Sequence, residues 1–176
     1  MKAYAAGGSS NTPADVLLMM TQVAGVLSSR GITLRCSEQS EADMAFVKGS
    51  RGRYFAFNPC ARIDESLDDP DAKAEPGSPW SIESDVAPSS GDATFARSLD
   101  PKFLMLPKAE KQWEVVANSL IYGLDRVSIA KMLIVWSTPN DHCYRYIKKA
   151  VAAKVRVYNL AVAEHRATIQ SWIDKG

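Results

Sequence analysis

Long apolar runs and an excess of charge of one sign are both missing from this sequence. No apolar run approaches the ~20 residues that a membrane-spanning helix needs, so we expect no membrane partner. The 21 Lys and Arg residues nearly balance the 20 Asp and Glu residues. This balance excludes a uniformly basic surface for nucleic acid, and an apolar share of 46% argues against intrinsic disorder. We expect one globular domain that spans residues 1–176.

Cysteine and histidine are too few and too scattered for a standard metal centre. Cys36, Cys60 and Cys143 form no Cys-x-x-Cys pair, and only His142 and His165 could join them as ligands. We therefore expect no metal and no cofactor. An odd number of thiols fits a reducing compartment better than a secreted disulfide framework. The N-terminus is too rich in glycine for a signal peptide, so we expect a cytoplasmic protein.

Short strand patterns alternate with helical patterns in both halves of the sequence. Such alternation produces parallel sheets through right-handed crossovers, so we predict a Rossmann-like α/β fold, a three-layer sandwich with a mostly parallel sheet. The predicted strands are Lys2–Ala6, Ile32–Cys36, Arg53–Phe57, Lys131–Trp136 and Val155–Tyr158. The predicted helices are 14–30 (N-cap Thr12, stop Gly31), Ser37–Lys48 (closed by Gly49), Ala109–Asp125, His142–Ala153 and Ala161–Asp174.

The middle of the chain, residues 58–107, does not follow this alternation. It carries seven of the nine prolines and several acidic runs, with little periodicity. We interpret it as an irregular insertion within the domain, either a lid or binding loop or a solvated surface loop. The apolar residues that could attach it to the domain are Trp80, Phe95, Phe103 and Leu104.

Three small polar loops follow predicted strands, and they are the candidate ligand site. They are Gly7–Thr12, Arg35–Ser40 and Ser137–Asp141. In open parallel sheets, ligands bind outside the carboxyl ends of the strands. None of the three loops carries a GxGxxG or a Walker sequence, and a tight turn without a ligand explains each of them equally well.

Several motifs resemble those of the SLOG superfamily, which includes DNA-processing protein A and the lonely-guy phosphoribohydrolases. The resemblance rests on Gly8-Ser9-Ser10-Asn11-Thr12-Pro13, on Arg30–Arg35 and on Glu41–Phe46 in the first half, and on Ile134–Pro139 and Val157–Leu160 in the second. Asn118 and Gly123 also match an Asn–Gly helix pattern. The likeness is greatest to small phage and bacterial members, and it omits the proline-rich middle.

The resemblance implies a nucleotide-binding protein whose ligand is a nucleoside phosphate or an ADP-ribose-type molecule. It also makes a homodimer plausible and, for a phage-encoded protein, places it in the host cytoplasm. The implied nucleotide-binding residues are Gly7, Gly8, Ser9, Ser10, Asn11, Thr12, Arg35, Cys36, Ser37, Asp43, Trp136, Ser137, Thr138 and Asn140.

Three of these candidate roles, and a possible role of His142, have simpler alternatives. Arg35 is expected to bind phosphate or to form a surface salt bridge, and Trp136 to stack on a base or to belong to the core. Asp43 is expected to bond loop amides or a ligand hydroxyl, or only to stabilise a helix N-terminus. His142 is a weak acid–base candidate, and a solvated or capping role competes with it.

The departures from the family pattern fall on its glycines. Cys36-Ser37-Glu38-Gln39 replaces SGGA, Glu41 replaces the glycine of GAD, and the late GGT turn is absent. Carboxylates at such positions block close approach and repel an anion. If the chain is an enzyme, we expect N-glycoside or phosphoribohydrolase chemistry, with Glu38 and Glu41 as weak candidates for general base and acid.

Two other functions remain open. The first is a degenerate domain that serves as a protein-interaction module or an inhibitor of a host complex. The second is a binder of single-stranded DNA that uses a basic stretch with tyrosines between its cations; the alternative for that stretch is a solvated helix face. The stretch comprises Tyr144, Arg145, Tyr146, Lys148, Lys149, Lys154 and Arg156.

Overall fold

The structure is a computed structural model that describes residues 2–57 and 90–176, the latter with side chains from residue 94 onward. Its five strands form one sheet of order β3-β2-β1-β4-β5, in which every neighbouring pair is parallel. The strands are β1 (Ala3–Gly8), β2 (Thr33–Cys36), β3 (Tyr54–Ala56), β4 (Met132–Trp136) and β5 (Arg156–Asn159). The predicted Rossmann-like α/β fold with a parallel sheet is confirmed.

Helices cover both faces of this sheet. In the described part of the chain they are α1 (Ala14–Ser29), α2 (Glu41–Ser50), α3 (Ser90–Leu99), α4 (Lys108–Tyr122), α5 (Tyr144–Ala152) and α6 (Ala163–Asp174), with a 3-10 helix at Pro101–Met105. Among these helices, none combines the length and the apolar character that a membrane span requires.

Alternating side chains of β1 build two separate cores. Tyr4 and Ala6 pack with buried side chains of α1, α2 and α6 on one face of the sheet. Ala5 packs with buried side chains of α4 and α5 on the other face. A strand flanked by two apolar layers is the centre of a three-layer sandwich, and this explains why β1 is buried along its whole length.

Gly7 and Gly8 belong to β1 and not to the loop that we predicted. Gly8 pairs with Trp136, so the ladder between β1 and β4 continues to the end of the strand. A Cβ at Gly8 would lie only 2.6 Å from the Cβ of Ala42, so α2 packs directly against the strand backbone there. The glycines thus permit close helix–strand packing, which composition alone does not distinguish from loop flexibility.

The start of α2 was predicted too early. The helix begins at Glu41 and not at Ser37, because Ser40 is its N-cap and its hydroxyl oxygen accepts a hydrogen bond from the amide of Asp43 at 3.1 Å. The residues between Ser37 and Ser40 therefore form a connecting loop after β2. This capping pattern is one of the standard signals of a helix start.

The end of α2 was also misplaced, since Gly49 lies inside the helix. An added Cβ at Gly49 would lie 2.1 Å from the carbonyl oxygen of Thr21 and 2.7 Å from the Cβ of Ala24. The glycine therefore permits the close crossing of α1 and α2. The helix ends at Arg51, which takes the left-handed conformation that we expected of the glycine (φ 54°).

Helix ends in the second half shift by a few residues for similar reasons. The helix that we predicted to reach Asp125 stops at Tyr122. Gly123 follows as its C-cap with a positive φ of 76°, a conformation that favours glycine. The helix predicted from His142 begins at Tyr144, after Cys143 as N-cap.

Part of the stretch predicted to be irregular is helical. α3 and the 3-10 helix fall within residues 58–107, where we expected no regular structure. The periodicity is weak there, but Phe103 is buried against Val115 of α4, and the ring of Phe95 meets Tyr122 edge-on at 5.3 Å. Leu104 is exposed and does not hold the segment. Trp80 lies outside the described residues.

Candidate ligand-binding site

The candidate site lies where β1 and β4 end side by side. The chain leaves β1 toward α1 on one face of the sheet and leaves β4 toward α5 on the other face. The amide of Ser9 donates a hydrogen bond to the carbonyl oxygen of Trp136 at 3.3 Å, which joins the two loops at their origin. We call the space between residues 9–13 and residues 137–143 the β1–β4 crevice. Open α/β sheets bind ligands at such a switch point.

The loop after β1 is a tight turn built on Ser9. Its carbonyl oxygen accepts bonds from the amide of Thr12 at 3.2 Å and from the Thr12 hydroxyl at 2.7 Å, and its hydroxyl accepts from the amide of Asn11 at 3.3 Å. Ser9 and Thr12 are therefore buried, whereas Ser10 and Asn11 face solvent.

Thr12 is not the N-cap of α1, contrary to our prediction. Its hydroxyl is already bonded to Ser9, and Pro13 occupies the cap position without a side-chain hydrogen bond to the first turn. The amides at the start of α1 are thus not satisfied by a side-chain cap. Such amides, together with the helix dipole, favour an anion.

The loop after β4 is stabilised by hydrogen bonds to the side chain of Asp141, which belongs to the same loop. A carboxylate oxygen of Asp141 accepts hydrogen bonds from the Thr138 amide at 2.7 Å and from the Thr138 hydroxyl at 2.9 Å. Thr138 and Asn140 are exposed beside this contact. Asp141 thus uses the donors that an anion would otherwise require at this turn.

Asn159, at the end of β5, fixes the start of the same loop. Its side-chain oxygen accepts from the amide of Ser137 at 3.2 Å, and its side-chain nitrogen donates to the Ser137 carbonyl oxygen at 2.8 Å. In the sequence this asparagine stands out only as part of the Val157–Leu160 motif. A polar residue at the end of a strand next to a candidate loop is a signal that could have identified it.

Asp43 forms the buried centre of the loop after β2. One of its oxygens, Oδ2, accepts from the Ser37 hydroxyl at 2.7 Å and from the Gln39 amide at 2.9 Å. The side chain is only 2% exposed, and burial raises the pKa of the carboxyl, while the bonds from Ser37, Gln39 and Ser40 oppose that rise. The other oxygen, Oδ1, has no hydrogen-bond partner in the described structure.

Tyr146 of α5 and Asp43 both border Gly7, and the sequence did not indicate Tyr146 as a residue of the site. A Cβ at Gly7 would lie 3.1 Å from Asp43 Oδ1 and 3.1 Å from Tyr146 Cε2. The Tyr146 hydroxyl is fully buried and, like Asp43 Oδ1, has no hydrogen-bond partner among the described residues. Burial, with smaller contributions from Cys143 and Asp43, raises the pKa of the phenol. We call Asp43 and Tyr146 the buried polar pair.

Arg35 points away from the crevice, although we expected it to bind phosphate there. Its guanidinium donates to the carbonyl oxygen of Ser128 at 2.7 Å, in the segment between α4 and β4 and therefore at the amino edge of the sheet. Asp125 lies in the same segment. Hydrogen bonds from Ser128 and Val127, with a smaller contribution from Arg35, lower the pKa of Asp125 to about 2. A long side chain in the middle of a strand can reach either edge, and sequence does not specify which one.

Two more predicted contacts belong to the core. Cys36 is fully buried beside Leu34 and Tyr4, and burial strongly raises the pKa of its thiol. Trp136 is half-buried and packs against the same cluster. Cys36 is thus enclosed by the core, whereas the half-buried Trp136 stays a predicted contact at the end of β4.

The two candidate catalytic acids lie around the start of α2. Glu38 is half-buried and takes the left-handed conformation (φ 55°), so it keeps a backbone shape that favours the glycine of the family pattern. Glu41 is exposed in the first turn of α2. Neither Lys nor Arg occurs in the described loops 9–13, 37–40, 137–143 and 160–162. This edge of the sheet is thus acidic in the part that the structure describes.

Two of the five cations of the basic stretch are paired with acids of α4. Arg145 forms a salt bridge with Glu110 and lies 3.7 Å from Glu114, while Lys149 lies 2.7 Å from Glu114. Lys148 is exposed above the ring of Tyr144. Part of the stretch is therefore a contact between two helices, while Lys148, Lys154 and Arg156 are exposed.

His142 and Cys143 sit at the crevice rim. The Cys143 thiol lies 3.2 Å from His142 Nε2, and the imidazole packs on Trp113 with ring centroids 4.7 Å apart. Burial lowers the pKa of His142 and raises that of Cys143, so the geometry does not activate the thiol. In the described residues, no three His, Cys, Asp or Glu side chains converge on a possible metal position.

Comparisons with known proteins give distant likenesses only. No protein-family model and no curated protein matches the chain. Among solved structures, the molybdenum cofactor carrier protein from Chlamydomonas reinhardtii is similar, with 14% identity over 98% of both chains and a TM-score of 0.42. DNA processing protein A from Helicobacter pylori, whose single-stranded DNA binding mode was described, is similar with 11% identity over 99% of this chain and 79% of that one, and a TM-score of 0.41. Neither likeness assigns a ligand or an activity.

Proposed function

We propose that the chain is a SLOG-like small-molecule binder that holds a nucleotide-type ligand, a nucleoside phosphate or an ADP-ribose-type molecule, in the β1–β4 crevice. The observation that carries this proposal is the direct contact between the two loops, Ser9 N–H to Trp136 O, at the point where the chain diverges to opposite faces of the sheet. Open α/β sheets bind their ligands at a switch point of this kind.

The start of α1 supports a phosphate-binding role for one side of the crevice. Pro13 provides no side-chain cap, so the first-turn amides are available to an anion. Ser10 and Asn11 are exposed beside them and add hydroxyl and amide donors. These backbone donors would replace the arginine that we first expected to bind phosphate.

The basic stretch gives less support to a single-stranded DNA binder. Two of its cations, Arg145 and Lys149, are paired with acids of α4. Cations that are already paired release few counterions on binding, and counterion release supplies most of the nonspecific affinity for DNA.

Thermal unfolding with a nucleotide panel tests the proposal. AMP, ADP, ADP-ribose and deoxynucleoside monophosphates are added to the full chain, and a ligand at a hundred times its Kd should stabilise it by about 2.7 kcal/mol. Asn11→Asp adds one negative charge beside the start of α1 and should weaken a phosphate-bearing ligand about fivefold.

Gln22→Glu is the matched control, since it makes the same amide-to-acid change on the exposed middle of α1. It should leave the affinity unchanged. The proposal is wrong if no member of the panel raises the melting temperature, or if both variants weaken binding equally.

A further inference from the structure

The buried polar pair contains two polar groups without partners. Asp43 Oδ1 and the Tyr146 hydroxyl are both almost fully buried, and neither has a partner at hydrogen-bond geometry in the described structure, although the Ser37 side chain lies near enough to Tyr146 to oppose the rise of its pKa. Buried polar groups in native proteins are nearly always bonded, so each exception requires an explanation. Their neighbour Asp43 Oδ2 shows the contrast, because it accepts two well-formed bonds.

The two groups come from opposite layers of the fold and meet at the end of β1. Asp43 belongs to α2, whereas Tyr146 belongs to α5 on the other face of the sheet. Asp43 Oδ1 lies 3.1 Å from the position that a Cβ on Gly7 would take, and so does Cε2 of Tyr146, the ring carbon next to the one that carries the hydroxyl. The next residues along the chain are Gly8 and Ser9, where the crevice begins. The pair is therefore enclosed in the fold, two residues before the loop that borders the crevice.

The charge at this place selects the kind of group that can bind. Glu38, Glu41, Asp43 and Asp141 all lie on or beside the loops of this edge. Arg145 also lies beside them and donates to the His142 carbonyl oxygen, but it is paired with Glu110, and the described loops themselves contain no Lys or Arg. A phosphate next to Asp43 would be repelled, whereas a hydroxyl or an amino group donates to a carboxylate.

We propose that Asp43 Oδ1, with the Tyr146 hydroxyl beside it, binds a hydroxyl or amino group of the ligand, so that the inner end of the crevice takes the sugar or base and not the phosphate. This inference rests on the proposed function and adds the orientation of the ligand. The phosphate lies at the start of α1, and the nucleoside part points toward Gly7. Asp43 is then a specificity-determining residue for donor-bearing ligands.

Calorimetry on the full chain with adenosine, AMP and inorganic phosphate tests this orientation. Asp43→Asn keeps one side-chain oxygen to accept from Ser37 and Gln39, and it replaces the free acceptor with an amide donor. We expect it to weaken adenosine and AMP about tenfold or more, as the loss of a bond to a charged acceptor requires, and to leave phosphate unchanged. Asp174→Asn, an exposed acid-to-amide change on α6, is the control and should have no effect.

Tyr146→Phe is a second variant that removes only an unpartnered hydroxyl. It should weaken adenosine about threefold, and it decides the question alone if Asp43→Asn does not fold. If AMP binds the natural protein and both variants equally, the pair binds only internal water, and the orientation is wrong while the proposed function stands. If neither adenosine nor AMP binds the natural protein, both proposals fail.

Discussion

The guanidinium of Arg35 occupies the space that a side chain at Gly123 would need. A Cβ at Gly123 would lie 2.7 Å from Nη2 of Arg35 and 3.0 Å from its Cζ. The same guanidinium donates to the Ser128 carbonyl oxygen, so it joins β2 to the segment that connects α4 with β4. A cation at the end of α4 also interacts favourably with the helix dipole. Arg35 thus stabilises the amino edge of the sheet, opposite the candidate site.

Gly123→Ala should destabilise the fold by about 2 kcal/mol. The new residue must hold a positive φ of 76°, and the Arg35 guanidinium must move away from the new Cβ and give up its bond to Ser128; each effect costs of order 1 kcal/mol. Urea unfolding followed by circular dichroism measures the loss.

Gly31→Ala separates these two effects. Gly31 has a similar φ of 73°, but nothing lies within 4 Å of an added Cβ. The Gly31→Ala variant should therefore lose only about 1 kcal/mol of unfolding free energy, the cost of holding a side-chain-bearing residue at positive φ. Equal losses for the two variants would contradict the clash with Arg35.

Gly49→Ala should cost about 3 kcal/mol or prevent folding. The new Cβ would lie 2.1 Å from the Thr21 carbonyl oxygen, and two packed helices must separate to accept it. Gly25→Ala is the matched control in the facing helix, where the nearest atom lies at 3.7 Å. There the better helix propensity of alanine should stabilise the protein by about 0.5 kcal/mol. Chemical unfolding should give changes in unfolding free energy of opposite sign for the two variants. A Gly49→Ala variant as stable as the natural protein would contradict the close crossing of α1 and α2.

The buried carboxyl of Asp43 should make stability depend on pH. Because burial raises its pKa above that of the unfolded chain, the folded state holds the proton more tightly. Its contribution is complete below the unfolded pKa of about 4 and is lost as the pH rises through the folded pKa. Asp43→Asn cannot titrate, so the stability of the natural protein should fall relative to this variant as the pH rises.

Unfolding free energies of both proteins between pH 4 and pH 8, roughly the range in which a raised carboxyl titrates, measure this difference. Asp174→Asn gives the effect of the same substitution at an exposed position. A constant difference between the natural protein and Asp43→Asn across that range would show that Asp43 has the same pKa in both states.

The alternation of strands and helices was predictable because it depends on local apolar patterns. β4 illustrates this, since its uninterrupted run from Met132 to Trp136 is typical of a buried parallel strand. The glycines were misjudged because their role depends on a distant neighbour. Gly8 faces Ala42 and Gly49 faces Thr21, and no local pattern contains those contacts.

The candidate site was only partly predictable for the same reason. The loops at the strand ends follow from topology, so residues 9–12 and 137–141 were found. Asp43 was found through its motif. Tyr146 and Asn159 were missed as site residues, because they join the site from α5 and β5 through tertiary packing alone. Arg35 was misplaced because the direction of a long side chain depends on the partners at each edge.

The parallel arrangement of β1 with β4 has a consequence for folding kinetics. β1, β2 and β3 are consecutive in the chain, whereas Ala5 pairs with Leu133 from the far half of the molecule. Local pairings form early, and pairings with high contact order are slow because the chain must first close a long loop. The entropy of that closure grows only with the logarithm of loop length. We therefore expect the β1–β4 crevice to assemble late, after the first three strands have come together.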